Sequence, residues 1–341
     1  YIVLMNDVSK SANIYSKEDI IDINKYVKKY TTYHNKSCIR VLITLFNTFL
    51  LYCFSLVLLK YSIIGIPAIS FVTIRTFIIF HDCCHRSFFK KISHNYYLAN
   101  ILSPFVLQSE ENWRSGHNHH HQTHGNRNLI DHTKTVISLH EFEQSHFTYK
   151  AFYLFIRTPP VFFIVIPFYA FFISNLNKIR YMMQYSCLLG FLYYIGGPDF
   201  MYRFILGQYI STVIGTMLFH LQHQVNIGYW EFFDKTDTLS KDNSELIGSS
   251  MIQIPNYLKW VTLGIEYHHI HHLNPRVPCY NLKDCHDYSD GRFDKITSIN
   301  FQDCFKALFH TFYDSKNKKY ISFKIFSIMG LEQVHKPHPK L

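Results

Sequence analysis

Hydrophobic and polar residues are segregated along this chain into long charge-poor runs, separated by polar stretches crowded with histidine. Val41 to Leu59 carries no charge. At about 1.5 Å of rise per residue, a helix of that length approaches the hydrocarbon thickness of a bilayer. After Lys60 and Tyr61, the run Ser62 to Phe80 is again apolar apart from Arg75, and a return crossing that ends at His81 is expected. Three further apolar segments follow, Ala151 to Ser174, Tyr185 to Ile195 and Met201 to Phe219. The first contains Arg157, Pro159, Pro160 and Pro167. Prolines remove amide donors and disfavour a regular spanning helix, so a half-embedded segment is expected there. The other two flank Gly196-Gly197-Pro198-Asp199, a turn signal suited to a helical hairpin. They are read as crossings three and four, an even number that returns the chain to its starting side.

The polar remainder frames these runs. Residues 1–39 are polar and charged without a signal-peptide pattern, so insertion is expected to rely on the first crossing. The natural start is expected at Met5 or upstream of Tyr1. Lys90 to Lys150 is too polar to span, although Leu98 to Leu107 suits the membrane interface. From Lys241 onward the chain is polar and mixed. The expected division is a polar N-terminal segment over 1–40, a membrane domain over 41–282 and a polar C-terminal tail over 283–341.

Composition supports a membrane domain over two soluble ones. Charged residues make up 17% and aromatics 17% of the 341 residues, charge-poor and aromatic-rich for a soluble enzyme. The net charge of +10 raises nucleic acid as a partner, but the basic residues form no nucleic-acid motif and no single stripe. Lys25, Lys28, Lys29, Lys36 and Arg40 precede the first apolar run, and Arg86, Lys90 and Lys91 follow the second. That placement marks cytosolic flanks under the positive-inside rule. Eight cysteines without paired spacing support neither a disulfide framework nor a thiolate site, so a reducing compartment is expected.

The chemistry lies in the histidines. Of 22, many fall in three dense groups: His81-Asp82-Cys83-Cys84-His85, His117-Asn118-His119-His120-His121, and His268-His269-Ile270-His271-His272. Spacings of three and four place rings on one helical face, so each HxxHH presents three imidazoles together. A single such box has a bland reading as a compositional accident, and a lone histidine is more often a packed side chain than a ligand. Three boxes expected on one side of a bilayer leave little room for that reading. Eight imidazoles are too many for one tetrahedral site and leave roughly four nitrogens for each of two metals. Ligand type alone fits iron, copper, zinc or nickel. His119, His124, His132 and His269 lie off the shared faces or outside the motifs and keep the bland reading.

HDCCHRSFF at His81 to Phe89, WRSGHNHHHQTHGN at Trp113 to Asn126 and EYHHIHHLNPRVPCYNL at Glu266 to Leu282 resemble the three histidine boxes of membrane fatty acid desaturases. LQHQVNIGYW at Leu221 to Trp230 and the run from Ile247 are similar to the acyl-lipid subgroup that includes Δ12 enzymes. The resemblance covers roughly Phe77 to Leu282. It implies an all-α membrane protein of about four transmembrane helices, with a cytosolic helical cap holding a di-metal site. It also implies nine ligands: His81, His85, His117, His120, His121, His223, His268, His271 and His272. His220 is the reserve for His223. Two departures are Cys84, where the family usually has glycine, and His124, where a small residue is common.

The resemblance implies two non-haem irons with O2 as co-substrate, and a fatty acyl lipid that gains a double bond. No side chain alone removes hydrogens from an unactivated alkyl chain, so a metal-bound oxidant is required. Asp82, Asn126 and Glu266 are candidates to orient imidazoles through their second nitrogen. An apolar tunnel is expected to select one carbon pair. The sequence has no His-Pro-Gly-Gly haem signature, so electrons are expected from a separate cytochrome b5 or ferredoxin. Membrane lipids are the other partner and no nucleic acid is expected. The expected location is the endoplasmic reticulum membrane in a eukaryote, with both termini cytosolic. The alternatives are a lipid hydroxylase, ketolase or sphingolipid desaturase of the same superfamily, or a histidine-rich metal transporter, for which Arg75 is the clearest intramembrane charge.

Overall fold

The computed structural model describes residues 14–32, 38–129, 136–224 and 229–323. Among them the first apolar run lengthens into helix α2, Cys38–Tyr61, preceded by the short amphipathic α1, Lys17–Lys28. Ser16 and Asp19 form a reciprocal capping box at the start of α1, which satisfies two amides that a helix start leaves open. The second run forms α3, Gly65–Cys84, and ends inside the first histidine box as the hydropathy requires. α2 leaves most of its apolar surface outward, with Phe46, Phe49 and Phe54 exposed, whereas α3 is buried along most of its length. Lipid is the natural solvent for the first face, and neighbouring helices surround the second.

The polar stretch that follows folds as α4, Ile92–Leu102, and α5, Glu110–Thr123, where Ser109 caps the start and Glu110 and Glu111 meet the positive end of the helix dipole. The short α6, Leu139–Gln144, precedes α7, Phe147–Ile156. Helical turns of Val161–Ile173, here α8, depart from α7 at 70°. The break falls at Arg157 to Pro160, where Pro159 and Pro160 stand, whereas Pro167 lies within α8.

Helix α9, Ile179–His223, spans 45 residues but is two helices joined at Gly197, whose φ of 76° and ψ of −176° only glycine adopts readily. The Tyr185 hydroxyl donates to Gln208 Oε1 at 3.0 Å. A straight helix would hold those residues roughly 35 Å apart, so the halves run antiparallel. Lys60 Nζ donates to the Ile195 carbonyl, and Arg203 to that of Leu59, joining this turn to the turn between α2 and α3 at the end remote from the histidines. The expected hairpin around Gly196 to Asp199 is therefore present. α2, α3 and α9 are long and apolar enough to cross a bilayer. Arg75 is tied in place: its Nε donates to Thr48 Oγ1 at 2.8 Å and its guanidinium reaches the Trp260 carbonyl, joining α2, α3 and α11, Lys259–Thr262.

The histidine end is covered by α10, Thr238–Ile247, α12, His268–Leu273, α13, Cys279–Asp287, and α14, Phe301–Ala307. Two small sheets, not expected from the periodicity, brace this cap. Parallel β2, Met251–Ile252, and β3, Ser298–Ile299, form one. β1, Ile137–Ser138, pairs in parallel with β4, His310–Asp314, which pairs antiparallel with β5, Lys319–Ser322. Contacts from residues before α2 and after α13 close the cap: Arg292 bonds Asp22 at 2.7 Å, the Asn243 side-chain amide accepts from the Tyr15 amide and donates to its carbonyl, and His310 Nδ1 lies 2.7 Å from the Gln224 carbonyl.

Candidate metal centre

Each histidine box sits where a helix meets the cap. The first continues the last turn of α3, so His81 and its neighbours inherit the rigidity of a buried helix. The second occupies the last turns of α5, with His117, His120 and His121 on the inward face and all three buried. α5 is terminated after Thr123 by the turn through Gly125, whose φ is +71° and where a Cβ would collide with Ser244. The third box is the whole of α12, aligned by the packing of α10 and α13 around it.

These three segments and the end of α9 bring nine imidazoles into two adjoining groups. In the first, the Nε2 atoms of His81 and His117 lie 2.9 Å apart, and that of His121 lies 3.2 Å from His117 and 3.0 Å from His271. His85 completes it, its ring centroid 4.7 Å from that of His81 and 4.9 Å from that of His271. In the second, His223 Nε2 lies 3.2 Å from His120 Nε2 and 2.9 Å from His268 Nε2. The ring of His272 stands 4.6 Å from His223 and 4.5 Å from His268. His121 and His272 stack at 4.2 Å where the two groups meet.

The fit to cations follows from these spacings. Two neutral imidazole nitrogens in contact can share one proton, but His121 and His223 each face two others. A metal about 2.0–2.1 Å from each nitrogen, with adjacent ligands near right angles, sets those nitrogens about 3 Å apart, which is the spacing found. His85 Nε2 and His272 Nε2 are buried with no hydrogen-bond partner among the described residues, as lone pairs directed at a cation would be. Burial first, and neighbouring imidazoles next, push His85, His117, His121, His268, His271 and His272 well below the ordinary imidazole pKa. They are neutral at pH 7, the form that ligates metal.

Two carboxylates orient the rings. Asp82 Oδ1 lies 3.2 Å from His81 Nδ1, while its Oδ2 accepts the Cys279 amide at 2.6 Å and so ties the first box to α13. Glu245 on α10 places Oε2 2.7 Å from His272 Nδ1 and pairs through Oε1 with Lys241 at 2.6 Å. Of the three orienting residues expected from sequence, only Asp82 meets an imidazole. Asn126 donates instead to the Phe233 carbonyl at 2.9 Å, because Gly125 has already turned the chain away from the site. The buried Glu266 directs its carboxyl toward Thr262, in its own loop, and burial raises its pKa. No motif marks Glu245, since it lies between the boxes in the polar stretch after Lys241.

The remaining histidines sort by position. His124, read as bland from sequence, is buried at the end of α5 and belongs with His120 and His272 to a metal-capable trio. Its ring stands 4.6 Å from those of His223 and His272. The reserve candidate His220 faces away, with Nε2 2.8 Å from the Ala307 carbonyl and its ring against Phe162 and Phe163. His269 points to the far side of α12, against His286 and Phe293. His119 is half-buried on the outer side of α5, and His132 lies outside the described residues.

A cavity of about 610 Å³ opens against His81, His117 and His268. Phe77, Trp113, Phe171, Phe219 and Ile265 are among its walls, so the space beside the first group is predominantly apolar. Trp113 stacks on His117 at 5.0 Å and meets Phe77 edge to face at 4.9 Å, which fixes the wall nearest the histidines.

Fold and site together define a multi-pass membrane protein whose paired imidazole clusters, suited to a metal site, adjoin a hydrocarbon-like cavity. The family model for fatty acid desaturase matches residues 48–299. A fatty acid desaturase of Bacillus subtilis (strain 168) is 30% identical over 318 residues, covering 83% of this chain and 86% of that protein. The sn-1 oleoyl-lipid 12-desaturase of Synechocystis sp. is 25% identical over 235 residues, 62% of this chain and 63% of the relative. The chloroplastic omega-6 fatty acid desaturase of Arabidopsis thaliana is 24% identical over 245 residues, 65% of this chain and 52% of its own length. The chain belongs to the fatty acid desaturase family. It is an oxidoreductase of the membrane, and the hydroxylase, ketolase and transporter alternatives are not favoured.

Proposed function

We propose that this protein introduces a double bond into a lipid-linked fatty acyl chain, using two irons held by His81, His85, His117, His121 and His271 on one side and His120, His223, His268 and His272 on the other. The observation that carries the reading is the convergence of nine imidazoles in two adjoining groups beside an apolar cavity. When bound, the irons would supply the oxidising power that no side chain possesses, with O2, two electrons and two protons consumed for each double bond formed and two waters released. The rest falls to the chain itself. α3, α5, α9 and α12 hold the imidazoles neutral and in register before any ligand arrives. Asp82 and Glu245 keep the Nδ1 protons of His81 and His272 engaged, so that Nε2 remains the ligating atom. Phe77, Trp113 and Phe219 exclude water from the acyl chain and confine it beside the histidines.

The same reading makes residues 41–282 the catalytic membrane unit, with 1–40 and 283–341 as flanking segments. The basic flanks of α2 and α3 favour a cytosolic histidine end, and an endoplasmic reticulum membrane in a eukaryotic host. A separate cytochrome b5 or ferredoxin supplies the electrons. Gas chromatography of lipids from yeast expressing the chain tests the reaction. New double bonds that require O2, are absent from His120→Ala cells and accompany about two irons per purified chain are expected. A hydroxylated product, or turnover without iron, would displace the proposal.

A further inference from the structure

The cavity beside the histidines has a direction. Its walls on α3 run from His81 back to Thr73, and on α9 from Gln222 back to Ser211, depths of about 12 Å and 16 Å at helical rise. α3 and the second half of α9 run parallel here, both ending in histidines. Below Thr73 and Ser211 the helices touch: a Cβ on Gly207 would stand 2.3 Å from Ile69 Cγ2 and 3.3 Å from the Ile66 carbonyl. That crossing is the floor. The deep part is walled by α3 and α9 within the membrane-spanning region, and the Ser211, Thr212 and Thr216 hydroxyls there donate to carbonyls of their own helix, so a carboxylate or headgroup would lose its water for little return. A hydrocarbon tail loses nothing there, so the methyl end of an acyl chain is the part that descends.

Gly215 lies between the histidines and the floor, eight residues after Gly207 and eight before His223. It shares a helical face with Ser211 and Phe219, all three lining the cavity, and a Cβ built on it meets no atom within 4 Å. Eight residues separate it from Gly207 and eight separate Phe77 from Ile69, so Gly215 stands level with Phe77 across the cavity. We propose that the missing side chain at Gly215 gives the methyl-terminal part of the acyl chain its depth below the histidines. This position therefore decides which chain lengths are accepted and where the double bond falls. The inference rests on the desaturase reading and deepens it. Gly116, beside His117, also lines the cavity with open space at its Cβ, but at the level of the histidines, so bulk there obstructs every chain alike.

The test compares Gly215→Ala and Gly215→Leu with Gly190→Leu. Gly190 is on the first half of α9, exposed, with equally open space and no place in the cavity wall. Acyl chains of graded length are supplied to expressing cells, products are mapped by mass spectrometry, and iron is measured in the purified proteins. Gly215→Leu should retain wild-type iron yet lose roughly tenfold or more of its yield on the longest accepted chains relative to the shortest. Gly215→Ala should shift the same way by less, Gly190→Leu should match wild type, and Gly116→Leu should lose all lengths together. A Gly215→Leu protein with wild-type iron and an unchanged length and position profile overturns the inference. A second readout needs no turnover: a thiol reagent should modify Gly215→Cys above the wild-type background, and long-chain but not short-chain phosphatidylcholine should protect it. If no double bond forms in any sample while that protection holds, the desaturase reading falls and the depth assignment stands. Equal protection by both lipids, or by neither, overturns the assignment.

Discussion

Removing the carboxylate of Glu245 tests how the cap holds the second imidazole group. The side chain is buried, its Oε2 lies 2.7 Å from His272 Nδ1, and its Oε1 pairs with Lys241 Nζ, which also donates to the His121 carbonyl at 2.9 Å. Glu245→Ala deletes a buried charge-assisted hydrogen bond, a loss of about 1.5–3 kcal/mol. At about 1.4 kcal/mol per factor of ten, that is roughly a 10- to 100-fold loss in the affinity of the site His272 serves, the range expected for outer partners of metal ligands. Glu245→Gln keeps an acceptor but not the charge, so its loss should lie near the lower end. The assay is iron retained by protein in nanodiscs equilibrated against a graded chelator, with thermal unfolding followed in parallel. One of the two irons should become labile in Glu245→Ala while the other is held as in wild type. Wild-type retention of both would refute the argument, because an imidazole that lost its orienting partner would then have cost nothing.

The other expectations concern ligand choice and chain geometry. His223→Ala should lower the iron content toward one per chain, whereas His220→Ala, which removes a ring directed at Ala307, should retain two; metal analysis of both proteins decides between them. Product formation should vanish in His120→Ala and persist in His119→Ala, and equal loss from the two would undo the assignment of faces on α5. Gly197→Ala forces a Cβ into a backbone region that disfavours it by about 1–3 kcal/mol. A lower unfolding temperature with unchanged iron in the surviving folded fraction is expected, and unaltered stability would show that the turn relaxes freely.

Much of this molecule was readable from local pattern. Hydropathy located α2, α3 and the two halves of α9, because a helix within a bilayer, whether it faces lipid as α2 does or other helices as α3 does, meets no water to favour polar residues. Gly196 to Asp199 announced the hairpin, and the HxxHH spacing announced shared faces, since three- and four-residue periodicity is a property of the helix alone. Pro159 and Pro160 likewise announced the break between α7 and α8.

What the linear order leaves open is which distant groups meet. Glu245 carries no signal in its own stretch and matters only because α10 crosses α12. Asn126 and Glu266 lie beside boxes in sequence, yet the turn at Gly125 and the loop around Thr262 direct them elsewhere. His124 lies one turn beyond its box and enters the cluster because α5 ends against α10 and α12. The meeting of the three boxes, His223 and His124 in adjoining imidazole groups, and the open space at Gly215, arise from how helices cross. Side-chain spacing along one helix is set by its own backbone, whereas crossings are set by packing among all of them. The chain by itself therefore determined the apolar spans and the faces that carry imidazole, and the tertiary structure alone decided which faces converge and how deep the cavity beside them runs.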